Sequence, residues 1–285
     1  MKKDANILFK SLKEDFSSSH AFPLPGRWQD DRWLGPVKFD KKPIKPHSWG
    51  IHLAKQDYLV YWLGERNFVA EHKGASLETT DVVVAEYARL KQEVIFDSKD
   101  LIDLALKYCQ VAKDTANGLD FDWTIPKTMQ TSFAFSQAFL RASKKLDIDM
   151  PKQVEDLAAL CAWNADLRKK DAASSLDYVY GCQAVSYASH ALALLPGMAV
   201  QSHAEQLLTL KEIAHDVRQA LSLGAEQHAY KANINGQEQQ ALPEVFARWV
   251  KKDTPMNSLS VKQQVFFEVG RWQNDLLLKK ARLKP

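Results

Sequence analysis

A carboxylate and an imidazole three residues apart, in Glu212-Ile-Ala-His215, are the one acid–histidine spacing in this sequence that a helix would turn into a shared face. Both side chains could then ligate a single metal ion, as in carboxylate-rich helical bundles. Such centres need a second Glu-x-x-His and further inward acids, and no other glutamate here is followed by histidine at that spacing. The stripe Leu207–Leu210–Ala214–Val217 also turns Glu212 away from the core side. Glu212 and His215 are therefore the metal candidates, weighed against an ordinary solvated helix face. The expectation is no metal and no cofactor.

A second acid pair, Asp120 and Asp122 in Asp-Phe-Asp-Trp, stands two residues apart, a spacing that can hold a divalent cation in a loop. Gly118 and Pro126 bracket it, which reads equally as a solvated connection with a docked Trp123. His190, in Tyr-Ala-Ser-His-Ala-Leu, has no nucleophile patterned around it and reads as a packed histidine. Gly-x-Ser-x-Gly, Gly-x-Gly-x-x-Gly, a Walker phosphate loop and His-Glu-x-x-His are all missing from the sequence, which points away from catalysis.

Recognition chemistry is better represented. Gly-Arg-Trp-Gln-Asp-Asp-Arg-Trp-Leu-Gly-Pro sets Trp28 and Trp33 beside Asp30, Asp31 and Arg32. Aromatics with arginine are what binding hot spots use. These five residues are the candidates for a partner surface, the competing account being that both indoles pin the loop down.

Composition narrows the classes. Apolar residues at 46% and charged residues at 26% describe a globular chain. A net charge of +3, with cations interleaved among acids, does not make a nucleic-acid surface. The local cluster Lys38, Lys41, Lys42 and Lys45 lies in a proline-rich stretch and reads as solvated. Cys109, Cys161 and Cys182 are widely spaced among apolar residues, as reduced packing cysteines are. The apolar run near the start is too short for a secretory core, and no stretch approaches a membrane span. The expectation is a cytoplasmic protein with no nucleic-acid or membrane partner.

The elements that would position these residues read as helices. Leu8, Phe9, Leu12 and Phe16 suggest a helix from Asn6 to about Phe16. Ser17 to Gly50 then holds five of the eleven prolines and three of the eight tryptophans, an ordered loop laid over the body. Tyr58, Tyr61, Trp62, Glu65 and Val69 step by three and four, with His72 and Lys73 in a last turn and Gly74 as a left-handed cap. Val83, Tyr87, Leu90 and Val94 make the next stripe. Leu101, Ala105, Tyr108 and Ala112 make another, with Ser98 at its start. Further helices are expected from about Thr128 to Leu146, from Pro151, and over Leu176 to Leu195. Ser202 and Glu205 form a capping box before Leu207, Leu210, Ala214, Val217 and Leu221, with Gly224 closing. Short and long helices then carry Phe246, Trp249 and Val250, and Val261, Val265, Val269, Trp272 and Leu276. The expected fold is all-α, about nine or ten helices in antiparallel hairpins, with the Pro/Trp-rich N-terminal loop packed on the helical body. The expected division is residues 1–50, a first helical half 51–147 and a second 148–285, in one continuous globule.

The stretch Asp57 to Val94, DYLVYWLGERNFVAEHKGASLETTDVVVAEYARLKQEV, resembles the first helical pair of bacterial toxin-immunity proteins of the PoNi type. The match is an aromatic-rich helix, a break containing Gly74, and a new start at Leu77 and Glu78. The stretch LDYVYGCQAVSYASHALALL, Leu176 to Leu195, is similar to that family's second half. The resemblance covers about a third of the chain. It implies an all-α, catalytically inert protein that binds a cognate secretion-system toxin and covers its active site. The positive net charge does not fit a DNA-mimicking inhibitor of a basic nuclease. The expected function is therefore a cytoplasmic immunity protein with a protein toxin as partner, homo-oligomerisation left open. The alternatives are a helical scaffold or adaptor, and a metal-binding helical-bundle enzyme.

Overall fold

The computed structural model describes residues 7–18, 27–29, 31–37, 50–119, 176–234, 242–255 and 257–284. The chain forms two compact units, one of Met1–Leu101, Gln201–Lys211 and Gln273–Pro285, the other of Ile102–Val200 and Glu212–Trp272.

The first unit overturns the all-α expectation. Strands β1 (Leu8–Leu12), β2 (Ile51–Lys55), β3 (Arg66–Glu78), β4 (Val82–Ile95) and β5 (Arg282–Leu283) form an antiparallel sheet in the order β2-β1-β3-β4-β5. β2 also pairs with β4, Ile51 opposite Ala85 through Ala54 opposite Val82, so the first four strands close on themselves as a small barrel. Leu8, Leu12, Ile51, Leu53, Phe68, Ala70, Val83, Ala88 and Leu90 fill one buried cluster, joined by Trp28, Leu34 and Val37. Each large apolar side chain removed from water there contributes about 1.5–3 kcal/mol.

The apparent helix over Tyr58–Gly74 is a single turn, α1 (Leu59–Trp62), followed by a strand. Buried Asn67 fixes that junction: its Oδ1 accepts from Ser11 Oγ at 2.8 Å and from Gly64 N at 3.1 Å, and its Nδ2 donates to Gly64 O at 3.0 Å. Gly74 does take a left-handed φ of 77°, but inside β3, at a register shift between Lys73 and Ser76. In β4 the run Val82-Val83-Val84 is β-branched and stiff, which favours the extended chain. The supposed opening helix is β1, whose five residues are all buried. Where it is described, the Pro/Trp-rich segment packs on the sheet. Leu34 N donates to Ala88 O at 2.8 Å and Ala88 N to Leu34 O at 3.1 Å, stitching the segment to β4.

Beyond β4 the helical reading survives better. Helix α2 (Ser98–Gly118) buries Leu101, Ala105, Tyr108 and Ala112 at the expected spacing. It is followed by α3 (Leu176–Leu194), α4 (His203–Ile234), α5 (Glu244–Ala247) and α6 (Ser258–Leu278). The capping box before α4 forms as drawn: Ser202 N donates to Glu205 Oε2 at 2.8 Å and Glu205 N to Ser202 Oγ at 3.4 Å. Gly224, however, does not end α4. The helix continues ten residues beyond it to Ile234, and a Cβ at Gly224 would stand 2.7 Å from Phe246 Cε1 and 3.0 Å from Leu119 Cδ2. Phe246 is fully buried, and Trp272 meets Tyr108 at 5.4 Å and Trp249 at 5.5 Å between ring centroids. The helices expected over Thr128–Leu146 and from Pro151 lie outside the described residues. No helix among the described residues is long and apolar enough to cross a membrane.

Candidate functional site

The five residues singled out for a partner surface separate. Trp28 is 3% exposed and belongs to the barrel core. Asp30 lies outside the described residues. Asp31 is exposed, in a left-handed conformation with φ 54°, and reaches both Arg89 Nη1 at 3.3 Å and Lys91 Nζ at 3.6 Å on β4. Arg32 is exposed, its backbone N closing a turn on Gln29 O at 3.4 Å. Trp33 is half-buried, with Lys73 Nζ 4.2 Å and the Arg89 guanidinium 4.9 Å from its ring centroid. Two cations from neighbouring strands thus lie against one indole, and Arg89 is held in place by Glu71 as well as Asp31.

Gly35 lets this segment lie so close. Its φ is 126°, and a Cβ there would meet Glu86 O at 2.6 Å and Tyr87 Cδ1 at 2.7 Å, so a side chain would lift the loop off β4.

Beside Asp31 an open cleft of about 500 Å³ runs along β3 and β4. Phe68 and Leu90 form its apolar floor, and Arg66, Lys91, Glu93 and Lys284 its charged rim. Arg66 donates to Glu93 twice, at 2.7 and 2.8 Å, and Lys284 Nζ joins the same carboxylate at 3.1 Å. Arg66 hydrogen bonding holds the Glu93 carboxyl below its usual range, against burial and with help from Lys284. An apolar floor with a rim of opposite charges suits a protruding side chain or a short peptide segment.

Sequence reasoning missed Arg66, Lys91, Glu93 and Lys284. No local signal marked them: Gln92 is polar and exposed between buried Leu90 and Val94, and a register shift falls opposite, so the stretch lacks the period of a strand.

The metal candidates behave differently. Glu212 and His215 are both exposed on α4, and His215 meets the Tyr187 ring edge-on at 6.3 Å. One residue further on, buried Asp216 binds His190 of α3, Oδ2 to Nδ1 at 2.5 Å. That hydrogen bond raises the His190 pKa above its usual value, partly opposed by burial and reinforced by the charges of Asp216 and Glu212. No group of three or more His, Cys, Asp or Glu able to hold a metal ion occurs among the described residues. Cys109 is buried, its Sγ 3.4 Å from Ala191 O, and burial pushes its thiol far up, out of reach of nucleophilic chemistry at ordinary pH. Asp120, Asp122, Cys161 and the lysines of the Lys38–Lys45 cluster lie outside the described residues.

Searches for a matching family model, a matching curated protein and a matching solved structure each found none.

Proposed function

We propose that this chain acts by binding a protein, and that the partner is a cognate bacterial toxin which it neutralises by covering the toxin's active site. In this reading it is a non-enzymatic cytoplasmic immunity protein. The observation that carries the binding half is the β3–β4 face: Trp33 with two cations against its ring, exposed Asp31 paired to Arg89 and Lys91, and a cleft with an apolar floor and a charged rim next to them. Tryptophan and arginine dominate binding energy when they sit together in a patch that a partner can dry. The mixed rim charges set register and partner choice more than raw affinity. The toxin half rests on the sequence resemblance of Asp57 to Val94. That stretch builds strands here, so the family's all-α fold lends no support, and the partner class must be read from experiment.

The test is to recover partners of the tagged chain from its native host and to express each alone. One stoichiometric partner that kills cells when expressed alone and is silenced by this chain is the expected result. A partner that is harmless alone leaves an adaptor, and a bait with no partner in cells that make the candidate toxin sinks the reading.

One observation favours a second reading, an enzyme with its site on α3 and α4. A half-exposed imidazole oriented through Nδ1 by a buried carboxylate, as His190 is by Asp216, is how general bases are held. Turnover in a substrate screen that disappears in His190→Ala would select it.

A further inference from the structure

Strand β3 outruns one of its neighbours. β1 pairs with Arg66 to Ala70, while β3 continues to Glu78 with β4 alone beside it among the described residues. The edge left open is Lys73-Gly-Ala-Ser-Leu-Glu78. All six residues are exposed, Leu77 to 40%.

The backbone on that edge has bonding capacity to spare. Glu86 and Ala88 of β4 turn theirs toward Val37 and Leu34, so by alternation Tyr87, Ala85 and Val83 face β3. Their partners Lys73, Ser76 and Glu78 face back, and Leu77, opposite Val84, turns its N–H and C=O outward. An edge of this kind is a template for another strand unless proline, an inward charge or a covering element blunts it. The stretch holds no proline, and its exposure shows that nothing covers it.

Charge decides which strand fits. Lys73 and Glu78 stand at the two ends of the edge and share a face, since their partners Tyr87 and Val83 do. Neither is fully committed: Lys73 lies over the Trp33 ring, and Glu78 meets Lys55 at 3.5 Å with its side chain 63% exposed. In a two-fold antiparallel pairing of β3 with a copy of itself, Lys73 stands opposite Glu78 of the copy, Gly74 opposite Leu77, and Ala75 opposite Ser76. Each pair occurs twice. Slid by one residue in either direction, Lys73 meets Leu77 or Thr79 and both ion pairs are lost. The register shift at Gly74 and Ala75 raises the local twist, and a second copy carries the same one.

We propose that this edge joins two copies of the chain, β3 to β3 across a two-fold axis, so that their sheets become continuous. The occupant is a second copy because the edge is complementary to itself in charge and in register. Lys73 touches Trp33, so the pairing sets two copies of the β3–β4 face on one sheet. It concerns assembly and stands apart from the partner reading above.

Sedimentation of the purified full chain, from micromolar to millimolar concentration, tests it. The expected result is a reversible dimer. Glu78→Lys sets like charges face to face in two places and should weaken the dimer about tenfold, and adding Lys73→Glu to the same chain should restore it. Leu77→Pro deletes an N–H that β4 does not use, and should abolish the dimer with little change in the thermal midpoint. A monomer throughout the range overturns the proposal. A dimer untouched by Leu77→Pro or by Glu78→Lys also overturns it and places the interface elsewhere. So does a folded double variant that associates as weakly as Glu78→Lys alone, a readout that holds even where Leu77→Pro fails to fold.

Discussion

Arg66 of β3 and Glu93 of β4 meet fork to fork at the rim of the cleft, Nε to Oε1 at 2.7 Å and Nη2 to Oε2 at 2.8 Å. The guanidinium also lies over the Phe16 ring at 4.1 Å, so one side chain ties the end of the barrel to the segment after β1. Such bidentate pairs are stronger than single hydrogen bonds, though partial exposure screens this one. Because the Glu93 pKa is depressed by Arg66, the folded state binds its proton less readily than the unfolded chain. The stability it contributes is present above the ordinary glutamate value of 4.5 and is lost as pH falls through the lower folded value. Glu93→Gln should cost about 1 kcal/mol at neutral pH and flatten the acid limb of stability against pH. Urea titrations across that limb decide it; parallel curves for the two proteins would mean that the pair contributes nothing.

Gly224 should resist replacement although it sits inside a helix, where alanine normally stabilises by roughly 1 kcal/mol. Its missing Cβ makes room for Phe246 at 2.7 Å and Leu119 at 3.0 Å. Gly224→Ala should therefore lower stability by about 1–3 kcal/mol through overpacking. Shortening the opposing side chain, in Gly224→Ala with Phe246→Leu, should recover part of that loss. A single mutant more stable than the wild type in chemical denaturation would show that Phe246 gives way freely.

Lys10 gives a pH signature of the same slope as that of Glu93, but in an alkaline window. Its folded pKa of about 8 lies below the ordinary 10.5, so between those values the unfolded chain binds more protons and stability rises with pH. Below that window the buried charge costs on the order of 3 kcal/mol, at about 1.4 kcal/mol per unit. Lys10→Met should be more stable at neutral pH and lose the alkaline rise. A methionine variant with wild-type stability at every pH would place Lys10 in water.

The pairing of His190 with Asp216 works in the other direction. Hydrogen bonding to Asp216 raises the imidazole pKa, so its contribution is fully present below the ordinary 6.5 and is lost as pH rises through the folded value. In NMR titrations the His190 ring should titrate above 6.5 and move down in Asp216→Asn. A midpoint untouched by that substitution would mean that the hydrogen bond does not persist in solution.

These elements were unequally legible in the sequence. Ser202 and Glu205, and the buried series Leu207, Leu210, Ala214, Val217 and Leu221, signalled α4 because capping chemistry and 3.6-residue periodicity are local. Gly224 was misread for a physical reason: a glycine needed for side-chain packing looks the same as a glycine needed for a cap. The barrel was hidden because its pairings are remote, Leu8 with Lys55 and Ala70, Ile51 with Ala85. Val83, Tyr87, Leu90 and Val94 fit a helical stripe only when Val82, Val84 and Ala88, all buried, are left out of the count. In the Trp-rich segment the residue types pointed to recognition, but only the fold separates a core indole from a surface one.

That separation yields the sharpest pair of substitutions. Trp28 is buried in the barrel cluster, so Trp28→Ala should cost about 3–5 kcal/mol and abolish binding only by unfolding the first unit. Trp33 is held by two cations on a partly wet surface, contacts worth about 0.5–1 kcal/mol each. Trp33→Ala should therefore leave the thermal midpoint nearly unchanged while weakening the recovered partner about thirtyfold, the loss of one hot-spot residue. Asp31→Arg faces Arg89 and Lys91 with a third cation, and should alter the association rate and its salt dependence more than the dissociation rate. Calorimetry and surface binding on the same preparations separate folding from recognition. If Trp33→Ala and Asp31→Arg both fold and both bind as the wild type does, the partner sits elsewhere, and the β3–β4 face is only a well-packed wall of the barrel.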